Sequence, residues 1–405
     1  MNKLLLLIIP LTIYSQEKGI HFEQDPRWSG ILKKAKAENK FIFVHCYTSY
    51  CGPSKYMSTM VYPTKQAGDF MNDKFISLKI QLDTTSTDDA PVISGYQTSH
   101  EIAGKYNVKA SPTYLVFDQD GNPVHRTTGQ VRTTGEFIEK IKVSFDPDHQ
   151  YFGLLQQYKQ GKKDSAFLHK LARASIEAYD QAYMQKIIND YINTQHDLYT
   201  NENLTLLQYA TTTSHDPGFI VMLNDPERVD SVLGKGVAEK RTHDIIISEE
   251  IVQKYKDNEP EWKTVTENIT KKYPAEAEEI IAKARFLYFK SREDWDKFQF
   301  ALVDYMKKYE QKCQPEDLND YAWLLFENCN NVSCLSEALS WSRHSFEDNN
   351  QPGYMDTYAN LLYKLGKTEA AIGWEIRAME KSPEKDKKIF EDTIEKMKRG
   401  EKLWR

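Results

Sequence analysis

One stretch limits the possible folds of this chain more than any other: Lys40-Phe41-Ile42-Phe43-Val44-His45-Cys46-Tyr47-Thr48-Ser49-Tyr50-Cys51-Gly52-Pro53-Ser54-Lys55. A short, dense run of apolar, β-branched and aromatic residues ends in a polar turn. Such a run reads as a central strand buried on both faces. Pro53 suits the first turn of a helix, where its missing N–H costs nothing. Cys51 therefore falls where a strand hands over to a helix N-terminus, and the helix dipole there favours thiolate over thiol. That is the physical requirement for a redox cysteine.

The run Tyr50-Cys51-Gly52-Pro53-Ser54-Lys55 resembles the active-site turn of the thioredoxin family, whose usual form is Trp-Cys-Gly-Pro-Cys-Lys. Tyr50 stands for the tryptophan and Ser54 for the second cysteine. The second change removes the resolving thiol, so no disulfide can form within the motif. A hydroxyl at 54 can still hydrogen-bond a Cys51 thiolate. Downstream, Pro112 immediately precedes the strand-like Thr113-Tyr114-Leu115-Val116-Phe117. A proline there forfeits a ladder bond, and a cis Ser111–Pro112 peptide would account for it. The resemblance implies an α/β thioredoxin-like domain over residues 20–145, with Pro112 facing Cys51 and presenting substrate backbone. It is closest to extracytoplasmic thioredoxin-like domains of disulfide-exchange proteins. Six residues before the motif cysteine, where thioredoxins bury an aspartate, stands His45. Its imidazole either moves protons near pH 7 or is a satisfied core histidine.

The remaining elements of this region alternate. A helix is expected from Asp25 to about Asn39, and another from Cys51 to Phe70 with an interruption near Pro63. Phe75–Leu82 alternates as a strand, Asp83–Gly95 is polar and read as a loop, and Ser99–Tyr106 as a short helix. A hairpin turn at 118–122 leads to a strand over 124–128, and a closing helix covers 134–145. On the central strand, residues 45 and 47 share a face and Cys46 points the other way. A Cys46–Cys51 disulfide or a metal site on His45, Cys46 and Cys51 is therefore disfavoured, and no metal or cofactor is expected.

Met1–Lys3 followed by an apolar run over 4–13 reads as a signal peptide cut after Ser15, too short to span a bilayer. The expected mature protein has no membrane span and is periplasmic or secreted, a compartment that permits disulfides. The net charge of −6 with mixed signs and no basic face argues against nucleic-acid binding. The five cysteines are an odd number, which leaves at least one thiol free or paired with another molecule.

Beyond residue 146 helical spacing dominates. Residues 146–310 are expected to form a helical region, in which the histidines at 169, 196, 215 and 243 show no metal-ligand spacing. Ala359, Gly366, Ala371, Ala378 and Pro383 form a pattern that resembles the tetratricopeptide repeat. Ala322 and Ala338 answer it one unit earlier, across a longer turn holding Cys329 and Cys334, which could close on each other as a local disulfide. Repeats are expected over 311–400. The fold class is thus an α/β thioredoxin-like domain followed by an all-α helical-repeat region. Two functions remain open. In one, Cys51 performs thiol–disulfide exchange or isomerisation on protein or peptide clients, with Tyr50, Ser54, His45 and Pro112 around it. In the other, a redox-silent thioredoxin fold binds partners through its helical repeats. The oligomeric state is not specified by the sequence.

Overall fold

The computed structural model describes residues 19–404 except 257 and 349. The expected signal peptide lies outside the described residues. The chain divides into two compact units, the first running through Val221 and the second from Met222 onward.

The first unit is built on a four-stranded sheet of β1 (Phe41–Tyr47), β2 (Phe75–Gln81), β3 (Thr113–Phe117) and β4 (Pro123–Thr128). The strand order is β2-β1-β3-β4. β1 and β2 run parallel, while β3 is antiparallel to both β1 and β4. The central pair is hydrophobic on both faces because helices cover both. Ile42, Val44 and Cys46 pack with Ile31 and Ala35 of α1 (Trp28–Glu38) and Ile102 of α4 (Ala90–Lys105). On the other face, Phe43 packs with Met57 and Val61, with Met71 of α3 (Lys65–Lys74), and with Phe137 of α5 (Thr134–Lys142). Between β1 and α3 lie α2 (Gly52–Tyr56) and a π-turn over Met57–Val61. The break expected near Pro63 falls between that turn and α3.

Helix α4 corrects one expectation. It begins at Ala90, well before Ser99, and takes in much of the segment read as a loop. Asp89 caps it by accepting from the Val92 N–H (3.1 Å), and Pro91 sits in its first turn. A proline there is compatible with a helix start, and the cap completes it.

Four further helices belong to the first unit: α6 (Tyr151–Lys159), α7 (Ser165–Glu177), α8 (Met184–Ile192) and α9 (Asn201–Ala210). Of these, α6 and α7 pack against β4, and α8 and α9 pack behind them. The buried Arg126 guanidinium of β4 donates to the carbonyls of Tyr106 (2.7 Å), Asn107 (3.4 Å) and Tyr179 (3.1 Å). Thr128 donates to the Glu177 carbonyl at 3.0 Å, and the Tyr151 N–H donates to His125 Nδ1 at 3.2 Å. These side-chain bonds tie the helices to β4 and cover it as an edge strand.

The unit boundary falls within α10 (Pro217–Asn224). The second unit continues with α11 (Pro226–Leu233), α12 (Val237–Ile247), α13 (Trp262–Lys272), α14 (Ala277–Ser291) and α15 (Trp295–Tyr309). Then follow α16 (Pro315–Asn328), α17 (Val332–His344), α18 (Pro352–Lys364), α19 (Thr368–Lys381) and α20 (Lys387–Lys398). Its strands are none among the described residues. Fully buried Ala322 and Ala338 let α16 and α17 approach, as Ala359 and Ala371 do for α18 and α19. The Cys329–Cys334 disulfide is not formed: both are free thiols, as are all five cysteines. Cys329 ends α16 with its thiol directed at the Trp295 carbonyl (3.8 Å), while Cys334 lies in the first turn of α17. No helix among the described residues is long and apolar enough to cross a membrane.

Candidate functional site

Cys51 occupies the N-cap of α2, in extended conformation (φ −72°, ψ 107°), with Pro53 in the first turn. Its backbone N–H donates to the Thr48 carbonyl at 3.1 Å, which closes the turn after β1. The preceding turn is anchored from outside: Ser49 donates its N–H and hydroxyl to Asp83 at 2.8 and 2.5 Å. Across the site the Ser111–Pro112 peptide is cis, as expected. The Pro112 carbonyl accepts from the Gly129 N–H at 3.0 Å, which ties that loop to the end of β4.

Two serines and the thiol form one cluster. The Ser54 N–H donates to Cys51 Sγ at 3.5 Å, and Sγ lies 3.3 Å from the Ser111 carbonyl oxygen. The Ser54 and Ser111 hydroxyls are 3.1 Å apart, and Ser111 Oγ also accepts from the Thr48 N–H at 3.0 Å. Partial burial is the largest influence on the Cys51 thiol and raises its pKa. Hydrogen bonds from Ser111 and Ser54 and the charge of Lys55 outweigh it together, so the net shift is downward from 9.0. The other four thiols all move up: burial pushes Cys46, Cys313 and Cys329 to about 12 and also raises Cys334. Cys51 is therefore the one thiol tuned towards thiolate. Beside it Tyr50 is 77% exposed, a large apolar surface next to the sulfur.

His45 sits beneath the site. Its register partners are Lys79 on β2 and Tyr114 on β3, so the three side chains form a row across one face of the sheet. The ring packs against Tyr47, Tyr62 and Tyr114 at centroid distances of 5.6, 5.4 and 5.5 Å. It is fully buried, and neither ring nitrogen has a hydrogen-bond partner. Burial first, and the Lys79 charge second, lower its pKa to about 3. The imidazole thus stays neutral at pH 7 and does not exchange protons in that range. It is not a satisfied core histidine either. Tyr62 and Tyr114 flank it, and burial first, with a Cys51 thiolate charge adding to it, raises the Tyr114 pKa. Cys46 lies on the opposite face in the apolar core, so it cannot serve as resolver.

The structure thus brings together Cys51, Ser54, Tyr50 and Pro112, with His45 behind them. Sequence reasoning missed Ser111, although its position before the pre-strand proline was available as a signal. It also missed Lys79 and Tyr114, whose roles depend on strand register, and Asp83 and Tyr62, which lie outside the strands and reach the site only through the tertiary fold.

Residues 29–143 match the family profile described as a thioredoxin-like domain. The chain carries a thioredoxin-like domain, followed by a mostly helical region. Among solved structures, it is similar to one titled as a putative disulphide-isomerase from Bacteroides thetaiotaomicron. That match has 30% identity over 33% of this chain and 98% of the other, with a TM-score of 0.26. It is also similar to one titled DsbH Oxidoreductase, at 15% identity over 36% of this chain and 94% of the other, with a TM-score of 0.27. No curated protein matches the sequence.

Proposed function

We propose that this protein is an extracytoplasmic thiol–disulfide exchange protein acting through a single motif cysteine, Cys51. One observation carries the reading: of five cysteines, only Cys51 combines partial exposure with a lowered pKa. The Cys51 thiolate attacks one sulfur of a client disulfide. A Cys51–client mixed disulfide forms, the client S–S bond breaks, and the leaving thiolate takes a proton. Ser54 supplies no second thiol, so the mixed disulfide persists until another thiolate attacks it. If that thiolate belongs to the client, a new client disulfide forms and Cys51 leaves as thiolate. The net change is isomerisation, with no electrons gained or lost. If it belongs to a small external thiol, attack on the Cys51 sulfur releases the client with both cysteines reduced and leaves that thiol disulfide-bonded to Cys51, whereas attack on the client sulfur frees the Cys51 thiolate and leaves the client with one thiol and one mixed disulfide to the external thiol.

Exposed Tyr50 offers an apolar contact to a client chain, and the cis Pro112 loop lies opposite the sulfur. The reading places the protein in the periplasm after removal of residues 1–15, and assigns client selection to a tetratricopeptide-like helical region. The test is the alkylation rate of each cysteine against pH, mapped by mass spectrometry on the unreduced protein. The expected result is a Cys51 midpoint near about 6–7, together with a Cys51-linked adduct on incubation with a disulfide-containing peptide. A Cys51 midpoint at about 8.5, with no adduct, would overturn the reading in favour of a redox-silent binding protein.

A further inference from the structure

A second site lies in the helical unit, away from any chemistry assigned above. Glu239 and His243 are four residues apart on α12 and share one face of that helix. Glu279 in the first turn of α14 joins them. One ligand atom from each of the three lies within 4.8 Å of the others. The set lines a cavity of about 390 Å³.

His243 supplies the independent observation. It is 2% exposed, it lines the cavity, and its Nε2 has no hydrogen-bond partner. A buried imidazole nitrogen left unpaired is costly, and a Lewis acid is one partner that relieves it. The carboxylates meanwhile already attract a cation: Lys312 Nζ lies 2.6 Å from Glu239 and 2.5 Å from Glu279. That ammonium brings one positive charge against two negative ones and makes no hydrogen bond to His243 Nε2. The neighbouring cations are engaged elsewhere, Lys283 with Asp244 at 2.9 Å and Lys240 towards Asp317 at 3.9 Å.

We propose that Glu239, His243 and Glu279 form a binding site for a divalent transition cation of the zinc class, which displaces the Lys312 ammonium. Two carboxylates and one neutral imidazole balance a doubly charged ion, and mixed N and O donors suit zinc and cobalt over magnesium or calcium. A four-coordinate zinc with bonds of about 2.1 Å sets its ligand atoms roughly 3.4 Å apart. Rotamer adjustments of about an ångström therefore close the set. Three protein ligands leave a fourth position facing the cavity. When bound, the ion pins α12 to α14.

Titration of the metal-free full chain with cobalt(II), read by its visible absorption, and with zinc in competition with a chromophoric chelator tests the site. We expect one equivalent bound in tetrahedral, oxygen- and nitrogen-rich coordination. His243→Gln should weaken binding at least tenfold. Glu239→Gln, at a half-buried position that tolerates an amide, should do the same without loss of fold by circular dichroism. Lys312→Gln should tighten binding, because the competing cation is gone. Absence of binding to both the wild type and Lys312→Gln overturns the proposal. So does binding that neither His243→Gln nor Glu239→Gln weakens, or a near-ultraviolet cobalt–thiolate band that moves the metal to cysteine.

Discussion

At the scale of single residues, the Cys51 sulfur is held by two serines, one of which, Ser54, stands where a second thiol would complete the motif. Partial burial opposes the thiolate, and the Ser111 and Ser54 hydrogen bonds together with the Lys55 charge outweigh it. Each such bond to an anion is worth about 1.5 kcal/mol or more, roughly one pKa unit. Ser111→Ala and Ser54→Ala are each expected to raise the Cys51 alkylation midpoint by about half a unit to one unit, with the double variant moving it further. A midpoint unchanged in both would mean that the serines support the loop and not the sulfur. Cys51, Ser54 and Pro112 were legible in the sequence because motif order places them. Ser111 and the row Lys79–His45–Tyr114 were not, since only the pairing of three strands brings them together. His45 shows the same limit: its chemistry depends on a desolvation and a lysine charge that spacing cannot reveal.

At the scale of elements, short apolar strands were readable almost to the residue, whereas a capped helix starting in polar sequence was not. Helix α4 begins in such a stretch because Asp89 caps it. The metal-binding set was invisible for a related reason: its third ligand comes from a different helix, so no single spacing carries it. The α18–α19 pair contains a further feature of this kind. Glu375 of α19 is fully buried beside Asp356 of α18. Burial first, and the Asp356 charge second, push its carboxyl from 4.5 up to about 10. A folded-state pKa above the unfolded one means that the native state holds the extra proton. The associated stability is complete below about 4.5 and drains away as pH rises towards 10. Denaturant melts of the full chain should show the helical unit weakening steadily as pH rises through neutrality. Glu375→Gln keeps the shape without the titration and should flatten that slope. Equal slopes in the two proteins would show that the carboxyl is solvated or ionised in the native state.

At the scale of the whole molecule, the family match ends at residue 143 while the first compact unit continues through Val221. The difference consists of helices that complete the thioredoxin-like domain's outer edge. Arg126 is 1% exposed, and one of its three carbonyl acceptors, Tyr179, comes from beyond α7. Tyr151, fully buried, donates its hydroxyl to Asp180 at 2.8 Å and its N–H to His125 on β4. A fragment ending at Phe145 would remove one of the three acceptors of a buried guanidinium and uncover β4 where α6 and α7 pack against it. Losing a hydrogen bond to a buried charged group costs about 1.5–3 kcal/mol, a large share of the stability of a domain this size. We therefore expect fragment 19–221 to unfold cooperatively and to keep the alkylation midpoint of Cys51. Fragment 19–145 should melt several degrees lower, as a loss of about 1.5–3 kcal/mol does in a domain of this size, or associate through its edge. Light scattering and thermal melts of the two fragments read this directly. Equal melting temperatures, with both fragments monomeric, would show that the edge helices are an attachment rather than part of the fold. In that case the cysteine site is supported by the sheet and its five flanking helices alone.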